Sequence, residues 1–448
     1  MAEDSTVRMT PKKSPPKRSD GIRTDAVRTD FARRMKTLLG TAVETEEFFE
    51  ALEDLTNRGS SIRALRPNLP KLNAGGWSVD DLFRSLQLEK PEPLTWNANA
   101  FPVNLKEISG LGDHPALGAG LYYLQEAGAT EAVEHLDVQP GQLVLDLCAA
   151  PGGKATQMGE KLMGRGHLVA NDPVRGRAER LDVMLARHGV ADATVTALDP
   201  TSLAEDTADF FERIMVDAPC SGESLFAKRQ ELRKEVGDNE VAGAARRQFL
   251  ILSRAARMVI PGGRIVYSTC TYSKEENEDV VAAFLEKHPG FTLRFEQRRW
   301  PHRDRVAGGY FAEIEREGDV STARSFEDRM AAWRERGNAG VLRSGVRQWN
   351  GEWDDYALLL GVPGEETRGA EATERRALFE SVALTGPEAQ SYLLGESLRN
   401  VGALAAASDP SRRALLTLTW NGFALGPGKL VEDRVNNLLP KRLRGLKR

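Results

Sequence analysis

The chain has 448 residues, 41% hydrophobic and 28% charged, with a formal net charge of −4, a globular composition with room for about two to four domains. No run of about 18 apolar residues occurs and the polar N-terminus lacks a signal-peptide core, so a cytoplasmic protein with no membrane contact is expected. Cys148, Cys220 and Cys270 are the only cysteines, with no Cys-x-x-Cys pair, and the six histidines show no paired ligand spacing, so a disulfide framework or zinc ribbon is excluded and no metal is expected.

Residues 1–28 combine Pro11, Pro15 and Pro16 with Lys12, Lys13, Lys17 and Arg18, and read as a disordered tail. Apolar residues at helical spacing follow from Phe31 to Leu55, through Met35, Leu38, Leu39, Phe48, Phe49 and Leu52. A short helix is expected at 79–86. Residues 29–110 are taken as a small N-terminal α+β domain.

From 111 to 317 apolar strands alternate with amphipathic helices. Strands are expected at 143–147, 168–170, 194–197, 213–216 and 264–267, and helices at 155–162, 178–188 and 244–259. This alternation predicts an α/β fold with a doubly wound, mostly parallel sheet. Residues 318–375 are charged and glycine-containing, with a helical piece at 326–334, and read as a linker or insertion. From 376 onward, alternating segments such as 414–420 predict a small β-containing domain. Its end is basic, with Lys429, Arg434, Lys441, Arg442, Arg444, Lys447 and Arg448 against Glu432 and Asp433. A solvated tail and an RNA contact are equal readings of that run.

The segment Leu143-Val-Leu-Asp-Leu-Cys-Ala-Ala-Pro-Gly-Gly-Lys154 is a buried strand, a loop of small residues and a helix start. Glycines there let a ligand approach the backbone, and the helix N-terminus offers N–H groups to an anion. Asp172, at the tip of the next strand, is placed to accept ribose hydroxyls. The dinucleotide fingerprint of NAD enzymes is absent. Cys220 and Cys270 each follow a strand, in Asp217-Ala-Pro-Cys-Ser-Gly222 and Ser268-Thr-Cys-Thr-Tyr-Ser273, so both thiols and Asp217 fall on the cofactor edge. Cys148 lies inside the cofactor loop and reads as packing. Ser273 with Glu276 reads as a capping box that opens a helix. Lys154 is a candidate positive charge for a thiolate, and a solvent-facing loop lysine is its bland alternative.

At these residues the sequence resembles the Nop/Sun family of RNA 5-methylcytosine methyltransferases. The match takes in Asp146-Leu-Cys-Ala-Ala-Pro-Gly-Gly-Lys154, Asp217-Ala-Pro-Cys-Ser-Gly-Glu223 and Ser268-Thr-Cys-Thr-Tyr-Ser-Lys-Glu-Glu-Asn-Glu278. It also takes in Tyr123-Leu-Gln-Glu126, Trp300-Pro-His302 and Gly309-Tyr-Phe311. Tyr392-Leu-Leu-Gly-Glu-Ser397 and Gly422-Phe-Ala-Leu-Gly-Pro-Gly-Lys429 resemble the tail of bacterial RsmF-type ribosomal RNA methyltransferases, a PUA-like RNA-binding domain at 376–448.

The resemblance implies a Rossmann-like domain that uses S-adenosyl-L-methionine to methylate carbon 5 of cytosine in small-subunit ribosomal RNA. It also implies RNA contacts from residues 29–110 and a monomer acting on ribosomal RNA or a ribosomal subunit. Cys270 is then the nucleophile, Cys220 the releasing residue, and Asp217 the contact to cytosine, with Lys154 beside them; spacing alone does not order the two thiols. The cofactor would lie against Cys148, Ala149, Ala150, Pro151, Gly152, Gly153, Lys154, Asp172, Arg177, Asp199 and Asp217. A turn aspartate before Pro200 is an equal reading of Asp199. The chain departs from the family at Ser224, Arg229, Ala155 and Arg63-Ala-Leu65, which bears on the RNA site rather than the chemistry. A transfer RNA methyltransferase and a non-catalytic RNA-binding assembly factor stay open as alternatives. A binding-only protein has no need of Asp217, Cys220 and Cys270 together.

Overall fold

The structure, a computed structural model, describes residues 29–58, 63–105, 108, 110–190, 192–227, 236–335, 341–344, 380–399, 415–431 and 434–438. The expected tail at 1–28, the 345–375 part of the expected linker, Arg229, Glu432, Asp433 and the basic residues Lys441, Arg442, Arg444, Lys447 and Arg448 lie outside the described residues.

The first apolar run forms two helices, Thr29–Leu39 and Ala42–Arg58. Gly40 breaks it with φ +79°, a conformation that costs glycine little. Phe31, Met35, Phe48 and Leu52 then bury against Phe226, Tyr272 and Trp300 of the section of alternating strands and helices. Three antiparallel strands follow: β1 (Arg63–Pro67), β2 (Phe101–Val103) and β3 (Tyr122–Glu126), in the order β2-β1-β3. The sheet takes β3 from beyond the expected boundary at residue 110, because Leu65 and Tyr122 need a shared core.

The central sheet begins with β4 (Leu143–Asp146), β5 (His167–Asn171), β6 (Ala193–Thr196), β7 (Phe211–Asp217) and β8 (Val259–Thr269). These five strands run parallel, each overlapping its expected position. β4, β5 and β6 are buried along their whole length, which is why they read as apolar runs. Helices Gly153–Leu162, Arg175–Arg187 and Asp238–Met258 connect them. Antiparallel β9 (Phe291–Arg299) and β10 (Gly309–Arg316) extend one side, and β11 (Val341–Ser344) pairs antiparallel with β6 on the other. The full order is β11-β6-β5-β4-β7-β8-β10-β9. The chain leaves β4 toward β5 on one side and later reaches β7 on the other, so a crevice opens at the carboxyl ends around β4.

Residues 326–335 and 341–344, within the expected linker or insertion, pack onto this unit. Helix Phe326–Glu335 buries Met330 and Trp333 in the core under the sheet. Its Arg329, 3% exposed, pairs with Glu212.

The C-terminal sheet holds β12 (Glu380–Ala383), β13 (Leu398–Arg399), β14 (Leu415–Trp420), β15 (Phe423–Val431) and β16 (Arg434–Asn437), in the order β12-β14-β15-β16-β13. It shares one apolar core with β1–β3, and the Trp77 ring meets that of Phe423 edge-on at 5.0 Å.

Candidate active site

β4 ends at Asp146, and the next six residues form the loop before helix Gly153–Leu162. Neighbouring strands fix that loop: the Leu147 amide donates to Met215 O (2.9 Å) and the Ala149 amide to Asn171 O (2.8 Å). Gly152 has φ +114°, and a Cβ there would sit 3.2 Å from Leu181 and Met184, so the position suits glycine alone. No side chain caps the following helix, leaving its first N–H groups for another acceptor.

Asp146 is fully buried, and neither of its carboxylate oxygens has a hydrogen-bond partner. Burial, reinforced by the nearby Asp217 charge, pushes this carboxyl up to about 8. Cys148 is buried as expected of a packing residue, and burial pushes its thiol far up. Ala149 and Ala150 are buried beside it, while Pro151 is exposed.

Asp172 is 1% exposed and already engaged. Its Oδ1 accepts from the Val174 amide (3.0 Å) and its Oδ2 pairs with Arg177 (3.2 Å). The Arg177 guanidinium also donates to Ala150 O (2.8 Å), tying the second strand's tip to the cofactor loop. Asp199 is an exposed N-cap that accepts from the Thr201 amide at 2.8 Å, which is the turn reading of that residue.

β7 and β8 lie side by side with Asp217 opposite Ser268. Their loops therefore bring the two thiols together, with Cys220 Sγ 3.2 Å from Cys270 Sγ and both free of disulfide. The hydrogen bond between the two thiols lowers that of Cys270 against the effect of burial, with help from Lys154, and raises that of Cys220. Lys154 does not face solvent: its Nζ lies 2.8 Å from Asp217 Oδ2. Burial works against its charge, but Asp217 and Asp146 more than offset that and raise it. Ser268 Oγ donates to Asp217 Oδ1 at 2.7 Å. Lys154 and Asp217 thus join the cofactor loop to the thiol loops.

The expected capping box at Ser273 and Glu276 is not formed. Ser273 Oγ donates to Glu223 Oε1 (2.9 Å), and Glu276 Oε2 accepts from the Ser221 amide (2.9 Å) and Gln248 Nε2 (2.8 Å). Both side chains are buried, where partners distant in sequence outcompete the local ones; a 3-10 turn, Lys274–Glu276, opens after Ser273, and the α-helix starts later, as Glu278–Lys287.

A cavity of about 430 Å³ opens at this edge, walled by Asp146, Lys154, Asp217, Cys270, Tyr123 and Arg299 among others. Cys220, Asp172, Arg177 and Asp199 do not line it. The sequence reading gave no role to Asp146, Tyr123, Ser268 or Arg299. Asp146 carried a usable signal, an acid closing an apolar strand; the others carried none beyond membership of a motif.

Residues 133–313 match the family described as 16S rRNA methyltransferase RsmB/F, and residues 379–445 match the one described as methyltransferase RsmF PUA domain. The chain is 34% identical over 204 residues to ribosomal RNA small subunit methyltransferase F of Shewanella piezotolerans, covering 44% of this chain and 43% of that one. It is 32% identical over 268 residues to the protein of the same name from Erwinia tasmaniensis, covering 58% and 53%. The matches thus span about half the length of these curated relatives. A solved methyltransferase homolog protein from Pyrococcus horikoshii superposes with a TM-score of 0.54 at 24% identity, over 64% of this chain and 94% of that one, a likeness of fold. Its two matched segments thus make the chain similar to the 16S rRNA methyltransferase RsmB/F family over residues 133–313 and to the RsmF PUA domain over residues 379–445.

Proposed function

We propose that the protein uses S-adenosylmethionine to methylate carbon 5 of a cytosine in small-subunit ribosomal RNA, through a covalent bond between Cys270 and ring carbon 6. The observation that carries this reading is the pair of free thiols 3.2 Å apart beside the Lys154–Asp217 ion pair. A methyltransferase acting on a nucleophilic nitrogen or oxygen has no use for two thiols there.

The residues of the cofactor loop fit the amino-acid end of the cofactor. Asp146 has two buried oxygens without a partner, suited to an ammonium group, and the uncapped helix beginning at Gly153 suits a carboxylate. Asp172 and Arg177 would hold the ribose, and Asp199 would stand near the adenine. When bound, the cofactor supplies a methyl group on a positively charged sulfur.

The chain's own residues do the rest. Cys270 ionises most readily of the three cysteines, because its thiolate would accept from the Cys220 S–H and Lys154 lies close. Its thiolate adds to carbon 6 and pushes an electron pair into the ring, which makes carbon 5 nucleophilic. Asp217, fixed by Lys154 and Ser268, holds the ring nitrogen edge as charge develops there. After carbon 5 is methylated its proton passes to solvent, the carbon 5–carbon 6 double bond reforms, and Cys270 departs as thiolate. The Cys220 S–H is in place to stabilise that departing charge. The PUA-type domain and the N-terminal unit, which share a core, hold the RNA while the base is out of its stack.

The test is a pair of variants incubated with RNA and cofactor. Cys270→Ala should yield neither methylated RNA nor a protein–RNA adduct. Cys220→Ala should methylate and then retain the RNA as a slow band on a denaturing gel. Adduct in Cys270→Ala and none in Cys220→Ala would reverse the roles. Methylation by both variants without any adduct would end the covalent reading.

A further inference from the structure

The two thiol loops are held at their separation by side chains that no part of the proposed chemistry uses. Glu223, three residues after Cys220, is fully buried and reaches across to the loop that follows Cys270. Its Oε2 accepts from Thr271 Oγ1 (2.9 Å) and the Tyr272 amide (3.1 Å), and its Oε1 accepts from Ser273 Oγ (2.9 Å). The Ser224 amide, next in the chain, donates to Cys270 O at 3.1 Å. Glu276 returns the tie from the other side through the Ser221 amide, and Ser221 Oγ meets Thr271 Oγ1 at 2.8 Å. A buried carboxylate with this many bonds needs a counter-charge, and it comes from outside the catalytic section. Arg34, 5% exposed on helix Thr29–Leu39, places Nη2 2.6 Å from Glu223 Oε1 and pairs also with Asp238.

We propose that Glu223, charge-balanced by Arg34, is a positioning residue that keeps Cys220 within hydrogen-bonding reach of Cys270 and so decides which thiol carries the negative charge. The N-terminal helical hairpin is on this account a part of the nucleophile's support and not only an RNA-holding element. Around Cys270 stand Cys220 and Asp217 from the β7 end, Lys154 from the cofactor helix, and Ser224. Glu276 faces Cys220, and Glu223 lies behind both loops. Loosening the Glu223 tie lets Cys220 move from Cys270 while leaving Lys154 and Asp217 in place. The inference rests on the covalent reading above for its meaning but not for its test.

The test is the pH profile of Cys270 alkylation by iodoacetamide, followed by peptide mass spectrometry so that Cys148 and Cys220 are read separately. In Glu223→Gln the Cys270 profile should move up by about one pH unit, an about tenfold slower reaction at neutral pH. Cofactor affinity by calorimetry should change less than about twofold, well below the loss of one charged hydrogen bond. A merely structural role would lower the melting temperature and leave the profile in place, and that result in the folded variant overturns the proposal. Should Glu223→Gln fail to fold, Arg34→Met carries the same test, since it removes the counter-charge on which the buried Glu223 carboxylate relies to hold the two loops. A shifted profile there supports the proposal, with partial recovery in Arg34→Lys, and an unshifted one overturns it. Failure of the covalent reading is seen elsewhere, as methylation by Cys270→Ala, and is independent of the alkylation result.

Discussion

The carboxyl edge of the central sheet has two halves that are held in opposite ways. On the β7–β8 half, the buried Glu223 and Glu276 each accept hydrogen bonds on both oxygens, and four of these bonds run between the two thiol loops. On the β4–β5 half, Asp146 is as deeply buried and accepts none. A fully paired buried carboxylate is a joint that rigidifies its surroundings. One without protein partners at a cavity wall costs stability and is suited to an incoming donor. The halves do share one device, for each is pinned by an arginine of the N-terminal unit. Arg34 reaches Glu223, and Arg66 from β1 reaches the start of the cofactor helix.

Arg66 offers the largest way to break this comparison. It is 2% exposed and donates to Gly153 O and Gln125 (both 2.8 Å), Thr156 (2.7 Å) and Glu160 (3.1 Å). Arg66→Met strips the partly buried Glu160 carboxylate and several buried acceptors of their donor, and should cost about 3–5 kcal/mol in denaturant unfolding. Cofactor affinity should fall with it, because Gly153 is the first residue of the helix that faces the ligand. An unchanged unfolding midpoint would show that the cofactor loop stands without the N-terminal unit.

Asp172 gives a smaller effect. Asp172→Ala removes the proposed ribose acceptor and leaves Arg177 with Ala150 O alone of its two partners in this region. Binding of S-adenosylmethionine should weaken by about 1.5–3 kcal/mol in calorimetry. Affinity at the wild-type level would withdraw Asp172 from the cofactor half and leave it as a helix-start residue bonded to the Val174 amide.

How much of this was legible in the sequence follows the same division. The strands β4 to β8 are apolar runs because both faces of a parallel sheet are covered, so their positions and the edge bearing Asp217, Cys220 and Cys270 could be read directly. Partners distant in sequence could not. Ser273 and Glu276 have the spacing of a capping box, and only the fold shows that Glu223 and Gln248 compete for them. The helical piece within 318–375 reads as part of a linker or insertion because Met330 and Trp333 stand among charges, and nothing local reveals that Arg329 meets Glu212 under the sheet. The two pinning arginines are invisible for the same reason, lying 189 and 87 residues from the groups they hold.

The smallest effect, per unit of pH, sharpens the comparison most, because it reads the unpaired state of Asp146 directly. Burial and the neighbouring Asp217 hold this carboxyl at about 8 in the folded protein, against an ordinary 3.8. The folded chain therefore keeps a proton that the unfolded chain gives up. Its contribution to stability is full below the unfolded value and is lost as pH rises from there through about 8. The loss runs at about 1.4 kcal/mol per pH unit for one proton. Asparagine has the same shape and no charge to bury, so Asp146→Asn should not show this slope. Between pH 6 and pH 7 the variant should gain about 1.4 kcal/mol on the wild type in matched unfolding experiments. It should also bind S-adenosylmethionine more weakly, since an amide does not pair with an ammonium group as a carboxylate does. Parallel stability curves for the two proteins would mean that Lys154 already balances an ionised Asp146, and the two halves of the edge would then differ in partners but not in charge.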